Sequence, residues 1–117
     1  MDLSSAIDAH TQWKTKFRVA ITGKQVMDAA TISKDNCCEL GKWLHGEGKS
    51  QCGALPSHSD CTKKHATFHV EAGKVAAAIN AQNYTLAEQM LGSGTPYAAA
   101  SSAVGVAIMQ LKKAANL

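Results

Sequence analysis

Cys61-Thr62-Lys63-Lys64-His65-Ala66-Thr67-Phe68-His69-Val70-Glu71-Ala72-Gly73-Lys74-Val75-Ala76-Ala77-Ala78-Ile79 is the stretch that decides the fold. Cys61, His65, Phe68, His69, Ala72, Val75, Ala76 and Ile79 recur every three or four residues, the spacing of one helix face. Lys63, Lys64, Glu71 and Lys74 fall between them and suit the solvent side. Pro56, with Ser57 and Ser59 beside it, marks the start, and the pattern runs to about Ala81. A helix with one apolar stripe buries that stripe against other helices, so the rest of the chain is read for partners.

The partners lie on both sides. From Leu3 to about Thr22 the positions 3, 6, 7, 10, 13, 17, 20 and 21 form another such stripe, with His10 counted in it and Gly23 ending it. Residues 24 to 36 read as a connection with one turn of helix at most, and residues 36 to 46 as a helix carrying Cys38, Leu40, Trp43 and Leu44. Gly46 to Gly53 reads as a glycine-rich polar loop; it lacks the ordered ending of a phosphate-binding loop and follows a helix, not a strand. A short helix is expected over about 84 to 91. After Gly92-Ser93-Gly94, Thr95 and Pro96 open a last helix to about Ala115, as N-cap and first-turn residues. Four substantial helices with short connections predict an all-α, antiparallel four-helix bundle with an additional short helix, one domain over residues 1–117.

Composition agrees. Alanine occurs 20 times and aromatic residues make up only 5% of the 117 residues, which favours closely packed helices over a sheet. No run of about 18 apolar residues exists to insert in a membrane, and no secretory leader is legible at the N-terminus. The net charge of +3 is dispersed; the pairs Lys63-Lys64 and Lys112-Lys113 do not make the clustered basic stripe of a nucleic-acid surface. Four cysteines (37, 38, 52 and 61), two of them adjacent, fit a reducing cytoplasmic setting better than a disulfide framework.

The chemistry sits on the inner faces. His65 and His69 are one helical turn apart, so their rings leave the same face about 6 Å from each other and offer half of a tetrahedral metal site. His10 is a polar ring on an apolar stripe and needs a partner. Cys61 and His65 are an alternative pair on spacing alone, but Cys61 and His69 stand about 12 Å apart along the helix, so Cys61, His65 and His69 cannot share one ion. Cys38 is the other candidate thiol. Imidazole nitrogen with thiolate is a donor set suited to Zn2+. Asp8 and Asp28 are candidate acceptors for an imidazole N–H, Trp13 and Trp43 candidate walls against water, and His45 and His58 are expected to be solvated near helix ends.

Three blocks in order, His10 to Trp13, Cys38-Glu39-Leu40-Gly41-Lys42-Trp43, and His65 to His69, are separated by typical gaps and resemble the chemoreceptor zinc-binding domain family. The resemblance implies that His10, Cys38, His65 and His69 bind one zinc ion, with Cys38 preferred to Cys61. It also implies a bacterial cytoplasmic sensory module, a homodimer, attached to an output domain such as a chemoreceptor signalling region or a diguanylate cyclase. Signals it implies are zinc availability and oxidants such as hypochlorous acid. A filled four-ligand site with no neighbouring nucleophile or acid–base pair is not that of an enzyme. A rival reading is a histidine phosphotransfer four-helix domain, which needs a solvent-facing histidine; a di-iron bundle fails because inner-stripe carboxylates are missing.

Overall fold

The computed structural model describes residues 1–117 and contains eight helices and no strand: α1 (Leu3–Thr11), α2 (Trp13–Gly23), α3 (Ala29–Ile32), α4 (Glu39–His45), α5 (Glu47–Cys52), α6 (Pro56–Asn80), α7 (Tyr84–Met90) and α8 (Pro96–Ala114). The all-α bundle expected from sequence is the observed fold. Its centre is α6, whose predicted inner stripe is buried from Cys61 to Ile79.

The directions of the chain follow from which ends meet. Lys112 Nζ donates to Ser4 Oγ at 2.6 Å, so the end of α8 lies beside the start of α1 and the two run antiparallel. His10 meets His65 and Phe68, and Met27 meets Asn80, so α1 and α2 ascend together with α6. The chain from 27 to 45 descends along α6: Met27 lies at Asn80, Ser33 at Gly73, Cys38 at His65 and Leu44 at His58. The fourth side of the bundle is therefore built from the short helices α3, α4 and α5, not from one long helix.

Local chemistry explains each piece. Asp2, Asp28, Asn83 and Thr95 cap α1, α3, α7 and α8 by accepting from backbone N–H groups of their first turns. The single helix expected over residues 3 to 22 is interrupted at Gln12, just past His10, whose ring takes the Ala6 carbonyl at 2.7 Å. The expected glycine-rich loop is a correction: residues 47 to 52 are helical. Gly48 lies under the Trp43 ring, where a Cβ would approach within 2.7 Å, and buried Cys52 donates to the Gly48 carbonyl at 3.0 Å. Packing under an indole thus outweighs the roughly 1 kcal/mol that glycine costs a helix. The far end is fastened by Asn80, whose side chain accepts from Met27 N–H at 2.8 Å and donates to the Met27 carbonyl at 2.7 Å.

Candidate metal centre

Three segments deliver the four polar side chains to one point. His10 comes from the last turn of α1, His65 and His69 from the middle of α6, and Cys38 from the residue before α4. Cys38 was expected inside a helix. It is instead the extended N-cap of α4, with φ −85° and ψ 164°, and its Sγ accepts the Gly41 N–H at 3.3 Å. Gly41 admits a close approach of the Asp35 carbonyl from the chain's own preceding loop, where an added Cβ would collide. A second glycine was missed by sequence reasoning. Gly73 lets Ser33 against α6, where an added Cβ would stand 2.6 Å from Ser33 Cβ, and so seats the Ile32 carbonyl beside His69.

The donor atoms converge. His65 Nε2 lies 3.1 Å from His10 Nε2, 3.0 Å from His69 Nε2 and 3.2 Å from Cys38 Sγ, and Cys38 Sγ lies 3.6 Å from His69 Nε2. All four donor atoms are within 4.8 Å of one another. Zinc bonds of 2.0–2.3 Å at tetrahedral angles give edges of about 3.3–3.6 Å, so small side-chain adjustments close the quartet around one ion.

The protons decide what the cluster wants. His10 Nδ1 donates to the Ala6 carbonyl at 2.7 Å and His69 Nδ1 to the Ile32 carbonyl at 2.8 Å. A carbonyl only accepts, so both Nε2 atoms carry lone pairs, and both point at His65 Nε2. One hydrogen on His65 can serve only one of them, and its own buried Nδ1 has no partner. Two facing lone pairs beside a sulfur are a poor hydrogen-bond arrangement and a good cation site.

Burial supplies the right protonation. It lowers the pKa of His10 and His69 and takes His65 down to about 3, with the neighbouring imidazoles adding to the effect on His65. The imidazoles are therefore neutral ligands at pH 7. Burial pushes the Cys38 thiol up, against the Gly41 N–H, which favours the thiolate. Cys61, fully buried, is pushed up to about 12 and stands outside the quartet.

One observation on the chain as a whole completes the picture: the model of the chemoreceptor zinc-binding domain matches residues 10–76, more than half of the 117. The chain belongs to that family. No curated protein and no solved structure matches it significantly. The match runs from His10 to Ala76 and includes the whole quartet, leaving α7 and α8 outside it. A chemoreceptor zinc-binding domain binds zinc and is regulatory, not catalytic by itself, and here His10, Cys38, His65 and His69 are positioned to coordinate the metal.

Other expectations fare differently. Asp28 caps α3 through Thr31, and Asp8 is exposed, so neither carboxylate orients an imidazole; the carbonyls of Ala6 and Ile32 do. The ring beside the site is Phe68, 5.2 Å from His10 and 5.5 Å from His69, whereas Trp13 stacks on Phe17 and Trp43 covers Gly48. His45 is solvated and meets Asp35 at 2.9 Å, but His58 is buried and donates to the Leu44 carbonyl at 2.9 Å, a correction. The phosphotransfer reading required an accessible His65, which has no exposed surface. No helix is long and apolar enough to cross a membrane.

Proposed function

We propose that this chain is a sensory zinc module of bacterial signal transduction, in which His10, Cys38, His65 and His69 hold one zinc ion and report on zinc and on oxidants to an attached output region. The observation that carries the reading is the convergence of three imidazole Nε2 atoms and one sulfur within 4.8 Å, two of the rings being locked by carbonyls into the ligand tautomer. Bound zinc would hold the Cys38 sulfur as thiolate at neutral pH. The quartet ties α1, the start of α4 and α6 together, so losing Cys38 from it frees the α4 cap from α6. Hypochlorous acid passes its chlorine to a thiolate sulfur and leaves as hydroxide, water then displaces chloride with loss of a proton to give the sulfenic acid, and oxidised sulfur is a poor ligand. The protein is read as a cytoplasmic homodimer, the arrangement through which such a shift reaches a chemoreceptor signalling region or a diguanylate cyclase.

Elemental analysis of the purified chain tests the first step. About one zinc per chain is expected, lost in Cys38→Ala and His69→Ala and kept in Cys61→Ala and Cys52→Ala. Zinc lost from Cys61→Ala but retained in Cys38→Ala would reverse the ligand assignment. For the oxidant step, dimedone trapping after mild hypochlorous acid should label Cys38 ahead of Cys37, Cys52 and Cys61, with zinc released in parallel. If another cysteine labels first while zinc stays bound, the signal is zinc alone.

A further inference from the structure

Cys38 is the member of the quartet that solvent can reach. His10, His65 and His69 are at most 4% exposed, while Cys38 is half-buried. A cleft of about 350 Å³ runs between the first turns of α1 and α4 down to Cys38 and His10. The other large clefts of the surface include no member of the quartet. Asp2, Glu39 and Ala9 line it together with Met1, whose α-amino group is the one cation of the lining, and no lysine or arginine does. Lys112, held by Ser4, lies outside the lining.

We propose that this cleft is the route by which solutes reach Cys38, and that the carboxylates of Asp2 and Glu39 make it selective for metal cations and small neutral oxidants over anions and bulky disulfides. The inference rests on the reading of Cys38 as the responsive thiol. Two physical arguments carry it. A solute in the cleft meets two carboxylates against one ammonium, a net negative lining, and a charge of −2 within about 8 Å of these groups meets a net repulsion above thermal energy at low salt. The cleft, about 350 Å³ with Ala9 in its lining, is also smaller than glutathione disulfide, a molecule of six residues. Hypochlorous acid and hydrogen peroxide pass both filters; glutathione disulfide, large and anionic, passes neither. The net charge of +3 over the whole chain would favour anions, so local and global charge make opposite forecasts.

The test uses metal-free protein and two aromatic disulfide probes, dianionic dithiobis-nitrobenzoate and neutral dithiodipyridine. In each reaction the Cys38 sulfur attacks one probe sulfur, forms a mixed disulfide and expels the aromatic thiolate. Site-resolved mass spectrometry reads the rate at Cys38, with exposed Cys37 as internal reference. In Asp2→Asn/Glu39→Gln, which keeps an Asn cap on α1, the dianionic probe is expected to react about threefold or more faster at low ionic strength, and the neutral probe at the wild-type rate. In Ala9→Phe both probes slow at Cys38 and not at Cys37, while Ala9→Ser matches wild type. Equal acceleration of both probes, or none, overturns the charge filter. Wild-type labelling of Cys38 in Ala9→Phe overturns the route, and the charge pair decides alone if that variant loses helicity. Zinc stoichiometry measured beforehand separates the two readings: a chain that binds no zinc fails as a zinc sensor, whereas one that binds zinc and ignores these substitutions fails only here.

Discussion

His10 and His69 are neutral before any metal arrives, because burial lowers both and each Nδ1 proton is already given to a carbonyl. His65 is lowered further, to about 3. Cys38 is shifted the other way and keeps its proton at pH 7. Zinc uptake near neutral pH should thus displace one proton, from sulfur, and affinity should rise about tenfold per pH unit from 6.5 to 8.5. Competition against a chromophoric chelator across that range measures it; a slope near two or more would mean that an imidazole was protonated. The same shifts govern the metal-free fold with a definite sign. Between about pH 6.5 and 3 the unfolded chain takes up a proton at residue 65 that the native chain refuses, so stability falls as pH falls, by about 1.4 kcal/mol per unit for that one group. The four candidate ligands were legible because residue type and one-turn spacing carry metal chemistry in the sequence itself. Their hydrogen-bond partners were not. Ala6 and Ile32 act through backbone carbonyls, which every residue has, whereas Asp8 and Asp28 stand out by their side chains.

Among the helices, two glycines of α6 and α8 separate packing from propensity. Gly73→Ala pushes on Ser33 and so on the Ile32 carbonyl that orients His69; it should cost about 1–3 kcal/mol and weaken zinc binding at once. Gly105 faces open space, and Gly105→Ala should stabilise by about 0.5–1 kcal/mol with zinc affinity unchanged. Thermal unfolding and zinc titration of the two variants give opposite signs if this account holds. The starts of α6 and α8 were readable from Pro56, Thr95 and Pro96, which act on their own first turns. The helical state of residues 47 to 52 was not, because it depends on Trp43 lying over Gly48, and nothing in the string Gly46 to Gly53 announces a ring above it. His58 was misread for the same reason. Its partner, the Leu44 carbonyl, is brought by the descending side of the bundle.

The bundle as a whole has a core that extends well past the site. Phe17, Val75, Ile79, Leu91, Val104, Ile108 and Leu111 are buried with no part in the quartet. Removing zinc should leave most of the helix content, and circular dichroism with and without chelator should differ little at 25 °C while the melting temperature drops, by about 4 °C per kcal/mol of lost binding energy. Loss of all helicity on chelation would instead make the metal a condition of folding. Up-and-down topology was foreseeable from four periodic stretches with short links; that the fourth side is a chain of three short helices was not, since its continuity lies in contacts with α6 at Gly73, His65 and His58. The clasp of Asn80 on Met27 gives this geometry a mechanical meaning. α6 is an unbroken rod of 25 residues gripped near its middle by the two imidazoles, with about 16 Å of helix from His69 to Asn80. Tilting that rod by about 5° about His69 would swing its tip by about 1.5 Å, and the clasp would carry that displacement to Met27 and the segment that follows Gly23.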